Sequence, residues 1–289
     1  SYFEVEGREL LVSPLEPDFW RAPTDNDYGN RMPRRQAVWK DAGRVRTLEG
    51  LVTKKIATGQ VRIDATLGLP AVNARLYLSY DVFGGGDVVV TERFVPPAAT
   101  SGAELPDIPR VGLRLSLSPE FADVSWYGRG PHENYADRKT SAPIGMYSAS
   151  VEELYYPYIR PQENGNRTET RWVAFSDSVG VGLAAHGMPT LDWSALPFLQ
   201  EDLDEGTTKR GRHTYDLRPR DLVAIHLDHR QMGVGGDNSW GAQPLEAYRL
   251  PVREYSYSFR LSPLGPGRAD AMEQSKRSPP AAAGDRGSD

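Results

Sequence analysis

Four stretches of the chain alternate apolar and polar residues with a period of two. They are Val61-Arg62-Ile63-Asp64-Ala65-Thr66-Leu67, Leu76-Tyr77-Leu78-Ser79-Tyr80-Asp81-Val82, Val111 to Leu117, and Tyr255-Ser256-Tyr257-Ser258-Phe259-Arg260-Leu261. That period places one side-chain row on a core and the other toward water, so each stretch is read as a strand. Val88-Val89-Val90 and the segment from Val179 to Ala185 are shorter, more continuous apolar runs, as expected of strands covered on both faces. Turn signals are dense between them: Gly84-Gly85-Gly86, Pro96-Pro97, Gly130-Pro131 and Gly265-Pro266-Gly267. Only Arg34 to Ala42 resembles a helix. Many strands at short spacing with almost no helix predict an all-β chain folded as a large antiparallel β-sandwich. A boundary could be drawn near Pro96 to Pro109, but the strands on both sides read as parts of one sandwich, taken to span residues 1–262. From Pro263 the chain loses Ile, Val and aromatics and fills with Pro, Ala, Gly, Ser and charges. Residues 263–289 are therefore expected to form a disordered tail.

Composition narrows the function classes. A length of 289 residues is ample for one large β domain with a buried core. The net charge of −5 has no long basic or acidic block behind it, which argues against nucleic acid and anionic membranes as partners. No apolar run approaches the ~20 residues that span a bilayer. The expected compartment is the cytoplasm, although the first residues read like a domain cut from a longer chain and leave an upstream signal open. The absence of cysteine excludes disulfides, thiolate metal sites and Cys nucleophiles.

Four unusual strings occur in order. The first is Phe19-Trp20-Arg21-Ala22-Pro23-Thr24-Asp25-Asn26-Asp27. The second is Trp126-Tyr127-Gly128-Arg129-Gly130-Pro131-His132-Glu133-Asn134-Tyr135-Ala136-Asp137-Arg138. The third runs from Pro157 to Arg167 and contains Gln162-Glu163-Asn164-Gly165, and the fourth is Met232-Gly233-Val234-Gly235-Gly236-Asp237-Asn238-Ser239-Trp240. In the fourth, three glycines in four positions let the backbone turn, by positive φ or where side chains would clash. An indole at the loop's end is a flat apolar platform for the C–H face of a sugar, and Asp237 and Asn238 offer groups for hydroxyls or for bracing the turn. The alternative is an indole that plugs the end of the sandwich.

Asp25, Asn26 and Asp27 suggest Asx turns, with Arg21 available for a bidentate carboxylate pair. A Ca²⁺ site at these residues would need further ligands that the spacing does not supply. Phe19 and Trp20 beside them are expected to form an exposed aromatic patch that packs on another domain. His132 and Glu133 are the residue types an epimerase uses as acid and base, but neighbours on a strand point to opposite faces. Glu133, Asn134, Asp137, Arg138, Glu163, Asn164 and Arg167 are read instead as polar bracing of long loops, with Arg138 and Arg167 as counter-ions. His226 and His229 sit three apart in a strand-like run and so on opposite faces, and no zinc site is expected.

Taken together, the four strings resemble the C-terminal domain, or small chain, of the large family-two β-galactosidases, from about Phe3 to Leu261. The resemblance implies a single supersandwich of the galactose-mutarotase type. It also implies catalytic glutamates on a (β/α)₈ barrel outside this chain, since nothing here alternates strand and helix to build one. The chain would then complete an active-site wall for terminal β-D-galactosides, lactose-like ones included, with Trp240 against the sugar at the outer subsite. Its partner would be the barrel-bearing portion or large subunit, in an oligomeric complete enzyme. Mg²⁺ and Na⁺ would belong to that complete enzyme, with no cofactor in this chain. A stand-alone aldose 1-epimerase and a non-catalytic carbohydrate-binding or assembly module are the other readings.

Overall fold

The computed structural model describes residues 3–98, 105–238 and 240–277. Its strands are β1 (Glu4–Val5), β2 (Arg8–Glu9), β3 (Leu11–Asp18), β4 (Thr47–Ala57), β5 (Gln60–Leu69), β6 (Ala74–Phe83), β7 (Val88–Val95), β8 (Arg110–Leu117), β9 (Asp123–Arg129), β10 (Ile144–Ser150), β11 (Arg167–Ser176), β12 (Gly182–Leu196), β13 (Val223–Gln231) and β14 (Tyr255–Leu264). Between them lie single-turn helices α1 (Asp25–Gly29), α2 (Met32–Arg35), α3 (Val151–Leu154), α4 (Gln200–Leu203) and α5 (Ala271–Ser275). Every alternating stretch falls inside a strand, and Val88-Val89-Val90 opens β7. The run from Val179 starts earlier than its strand: β12 begins at Gly182, and Val179 lies exposed in the turn before it. Where a helix was expected from Arg34, the chain makes α2 and then a 3₁₀ turn at Ala37–Trp39, because Pro33 opens α2 and Trp39 must turn into the core.

The architecture depends on β12. Its first half, Gly182 to Met188, pairs antiparallel with β14, while its second half, Asp192 to Leu196, pairs with β13. One strand therefore serves two layers. The long layer runs β10-β9-β11-β12-β14-β7-β6-β5-β4, and the short one continues from β13 through β8 to β3. Leu113 and Leu115 of β8 and Ile225 and Leu227 of β13 meet Tyr257 and Phe259 of β14 and Val90 and Phe94 of β7 in one buried cluster. The Tyr257 hydroxyl crosses between layers to donate to the Leu227 carbonyl at 2.8 Å. This is the antiparallel all-β sandwich that the period-two stretches imply.

Two expectations need correction. Phe19 and Trp20 are buried, at 0% and 2% exposure, so they form no docking patch. Phe19 sits among Trp39 and Phe94 with ring centroids 5.9 and 5.4 Å away, and the Trp20 indole donates to Asp204 at 2.9 Å. The polar residues that follow them suggest a surface loop, but the chain stays buried through Thr24 and turns outward only at Asp25. The tail also departs from expectation. Pro263 and Leu264 finish β14, and Ala271 of α5 packs on Trp172, Ala174, Ala184 and Leu264. Gln274 fixes that contact by donating to the Pro263 carbonyl at 3.0 Å. One small apolar residue and one amide suffice to dock the helix, and composition does not register them. Residues 278–289 of the expected tail lie outside the described residues.

Among the described residues, burial holds three carboxyl groups toward their neutral form: Glu92, Asp192 and Asp228, the last despite the Arg110 guanidinium beside it. Burial raises Glu92, at a core-facing position of β7, well above the usual range. Burial likewise raises Asp192 to about 7, opposed by the backbone hydrogen bond from Glu169. A raised folded-state pKa gives stability that is complete below the unfolded value of 3.8 and is lost as pH rises through about 7. Asp192→Asn should thus match the parent near pH 4 and exceed it by up to roughly 4 kcal/mol above pH 8. Chemical denaturation across that range checks this; parallel stability curves would show that Asp192 does not titrate as described.

Candidate functional site

The four strings converge at one end of the sandwich, and their side chains mostly hold one another. Arg21, fully buried, donates to both carboxylate oxygens of Asp27, through Nε at 3.1 Å and Nη2 at 2.8 Å. Asp27 also closes the capping box of α1: its Oδ2 accepts from the Thr24 amide at 3.0 Å, while Thr24 Oγ1 accepts from the Asp27 amide at 3.2 Å. The same Arg21 donates to the carbonyls of Met232 and Gly233. Asn26 Nδ2 donates to the Val234 carbonyl at 2.9 Å. The first string therefore grips the base of the fourth. Asp25 lies at the rim, paired with Lys209.

From the other side, Asp137 of the second string accepts from the amides of Val234 at 3.1 Å and Gly235 at 2.7 Å. This contact explains the glycines. A Cβ on Gly233 would lie 2.4 Å from Asp137 Oδ2, and one on Gly236 would lie 2.9 Å from the Ala242 carbonyl oxygen. Close approach is what these positions require; the positive φ also foreseen for the run is found at none of Gly233, Gly235 and Gly236. At the loop's tip, Asn238 Oδ1 accepts from the amide of Trp240 at 2.9 Å, which braces the turn. Asp237 is exposed. Trp240 is 88% exposed and borders an open cleft of about 560 Å³, whose other walls include Tyr28, Arg31, Arg34 and Lys209.

The second and third strings lock together. Asn134 and Asn166 exchange hydrogen bonds: the Asn134 amide donates to the Asn166 carbonyl at 2.7 Å, and Asn166 Nδ2 returns to the Asn134 carbonyl at 2.8 Å. Asn134 Oδ1 accepts from Thr168, and Asn164 ties the Tyr156 amide to the Gln162 carbonyl. Glu133 accepts from Arg138, from the Tyr158 hydroxyl and from the Gly165 amide. His132 points elsewhere, to Ser141 Oγ at 3.1 Å, so it shares no site with Glu133. Arg138 is a counter-ion as expected. Arg167 is not. It lies over Trp126 and Trp193 at 5.1 and 5.5 Å and donates to the carbonyls of Gly165 and Pro131, with no carboxylate partner among the described residues. Aromatic faces and carbonyls satisfy the charge there, while burial lowers its pKa to about 10.

Glu163 answers to a residue outside all four strings. Arg110, fully buried at the start of β8, donates to Glu163 at 3.0 Å, to Asp228 at 2.6 Å and to the Trp20 carbonyl at 2.8 Å. Burial opposes its charge, but the attraction of Asp228, Glu163 and Asp18 wins and raises its pKa. Its one sequence signal is an Arg directly before an alternating strand. His226 and His229 find different surroundings: His226 lies between Ser194 and Asp18, and His229 packs on Tyr255 and Tyr257. Among the described residues no three His, Cys, Asp or Glu side chains gather as metal ligands.

The fold and site together define an all-β domain whose end is a self-braced set of loops presenting one bare indole. The family described as "Beta galactosidase small chain" matches residues 1–261, and the chain belongs to that family. It is 38% identical over 266 residues to a β-galactosidase of Priestia megaterium, covering 91% of this chain and 24% of that protein. Against a β-galactosidase of Lactobacillus delbrueckii subsp. bulgaricus the identity is 35% over 237 residues, with coverages of 81% and 22%. The chain thus spans about a quarter of the length of these relatives. Among solved structures, the galactose 1-epimerase of Lactobacillus acidophilus NCFM aligns with a TM-score of 0.38 and 9% identity, over 74% of this chain and 66% of that one.

Asp137→Ala removes the charged acceptor of two loop amides. It should cost roughly 1–3 kcal/mol, and the amides of Val234 and Gly235 should exchange hydrogen faster. Unchanged protection at both would show that Asp137 does not hold the loop.

Proposed function

We propose that this chain is the part of a β-galactosidase that completes the wall of an active site whose catalytic carboxylates lie on a separate barrel-bearing portion. Its partner is that portion or a large subunit, in an oligomeric enzyme that acts on terminal β-D-galactosides such as lactose. The observation that supports this most is Trp240. An indole is left 88% exposed at the end of a loop whose base is gripped by Arg21, Asn26 and Asp137, where it gains nothing from its own core. A bare aromatic beside an open cleft suits the apolar face of a sugar. In this reading Trp240 packs against the sugar at the outer subsite, while Asn238 braces it and Asp237 lies within reach of hydroxyls. The carboxylates of Asp27, Glu133 and Glu163 are each engaged by arginines or backbone amides, which fits bracing better than acid–base chemistry.

The reading has two tests. Purified chain should not turn over a chromogenic β-galactoside, and activity should appear on adding the barrel-bearing portion; hydrolysis by the chain alone, lost on mutating one of its own carboxylates, would refute the division of labour. In the complete enzyme, Trp240→Leu should weaken substrate and product-sugar binding by roughly 1–3 kcal/mol, with the melting temperature nearly unchanged. A melting temperature lowered by several degrees at constant KM would instead make Trp240 a structural residue.

A further inference from the structure

The second and third strings, with β9, β10 and α3, also line a half-open cavity of about 590 Å³ that shares no lining residue with the cleft at Trp240. Its volume lies within the range of small-ligand sites. Aromatic rings form much of the wall. Trp126, only 1% exposed, backs this wall and is fixed by donating to the Arg129 carbonyl at 3.1 Å and by edge contact with Trp193 at 5.4 Å. Tyr156 and Tyr158 meet with ring centroids 4.5 Å apart, and Tyr156 remains 56% exposed, so part of its ring is open to a ligand.

The charges of this cavity argue for a neutral occupant. Glu133 and Glu153 are matched by Arg138 and Arg167. An anion would meet two carboxylates and find both guanidinium groups committed, Arg138 to Glu133 and Arg167 to backbone carbonyls. A cation would find Glu133 already accepting from three donors and Glu153 accepting from Ser150. The Tyr158 hydroxyl, pushed up to about 12 by burial and by Glu133, stays uncharged. What remains is ring surface together with the Ser148 hydroxyl and the Ser141–His132 pair, whose members hydrogen-bond each other at 3.1 Å. That combination matches a ligand with an apolar C–H face and neutral hydroxyls at its edge.

We propose that this cavity is a second binding site for a neutral sugar residue, with Tyr156 as the ring it packs against. The site stands on its own walls, whatever role Trp240 has. Galactose and lactose, titrated into the whole 289-residue chain and followed by amide NMR, should give saturable shifts around Tyr156, Ser148 and Gly165. Tyr156→Ala should weaken that binding by about tenfold or more with the melting temperature preserved, and Ser148→Leu, which narrows the cavity, should do the same. Trp240→Leu should leave it within about twofold. Four outcomes would overturn the proposal: no saturation up to roughly 100 mM sugar; loss of binding in Trp240→Leu but not in Tyr156→Ala; equal shifts with inorganic phosphate, which would make it an anion site; or tighter binding of cyclohexanol than of either sugar, which would make it an apolar socket.

Discussion

The buried guanidinium of Arg110 is the constraint on which the loop-bearing end of this domain depends. A charge removed from water is costly unless every face of it is answered. Here the answers come from three distant places: Trp20 after β3, Asp228 in β13 and Glu163 in the loop before β11. None of these segments can shift without leaving the charge exposed to an apolar interior. Glu163 in turn shares Gln231 of β13 with Asn166, and Asn166 holds Asn134. The loops that reach the surface are thus registered on the short layer through one arginine. Such a cluster is weak evidence for net stability, since well-packed apolar residues often do as well. Its structural effect is registration.

What could be read from the sequence follows from how each face is covered. β6 and the first half of β14 alternate because one face meets the core and the other is less covered, while β8 keeps its apolar–polar alternation although nearly all of it is buried. β4 carries no such signal, being exposed along nearly its whole length at the sheet edge. β11 and β13 fail for the opposite reason. They are largely buried, and polar residues such as Thr168, Thr170, His226 and Asp228 occupy covered positions within them. Periodicity cannot distinguish such a residue from one facing water.

The loops show a similar division. The four strings marked the right region, and the pairing of Arg21 with Asp27 follows from residue type alone. Arg167 was misread because a buried cation calls for an anion, whereas two tryptophans and two carbonyls take its place. Arg110 was missed because its partners are scattered over more than two hundred residues of chain. No local pattern encodes such a convergence.

The fourth string separates two requirements within a few residues. At its base, Gly233 must lack a side chain because the carboxylate of Asp137 occupies that space, and Arg21 and Asn26 hold the neighbouring carbonyls. A change there disturbs packing and loop geometry together, so lost activity in the complete protein would not reveal which had failed. At the tip, Trp240 contributes almost nothing to the buried core, and leaving so large an apolar surface in water is unfavourable by itself. The loop is thus braced at its base by Arg21, Asn26 and Asp137, while its largest side chain is left bare at the tip.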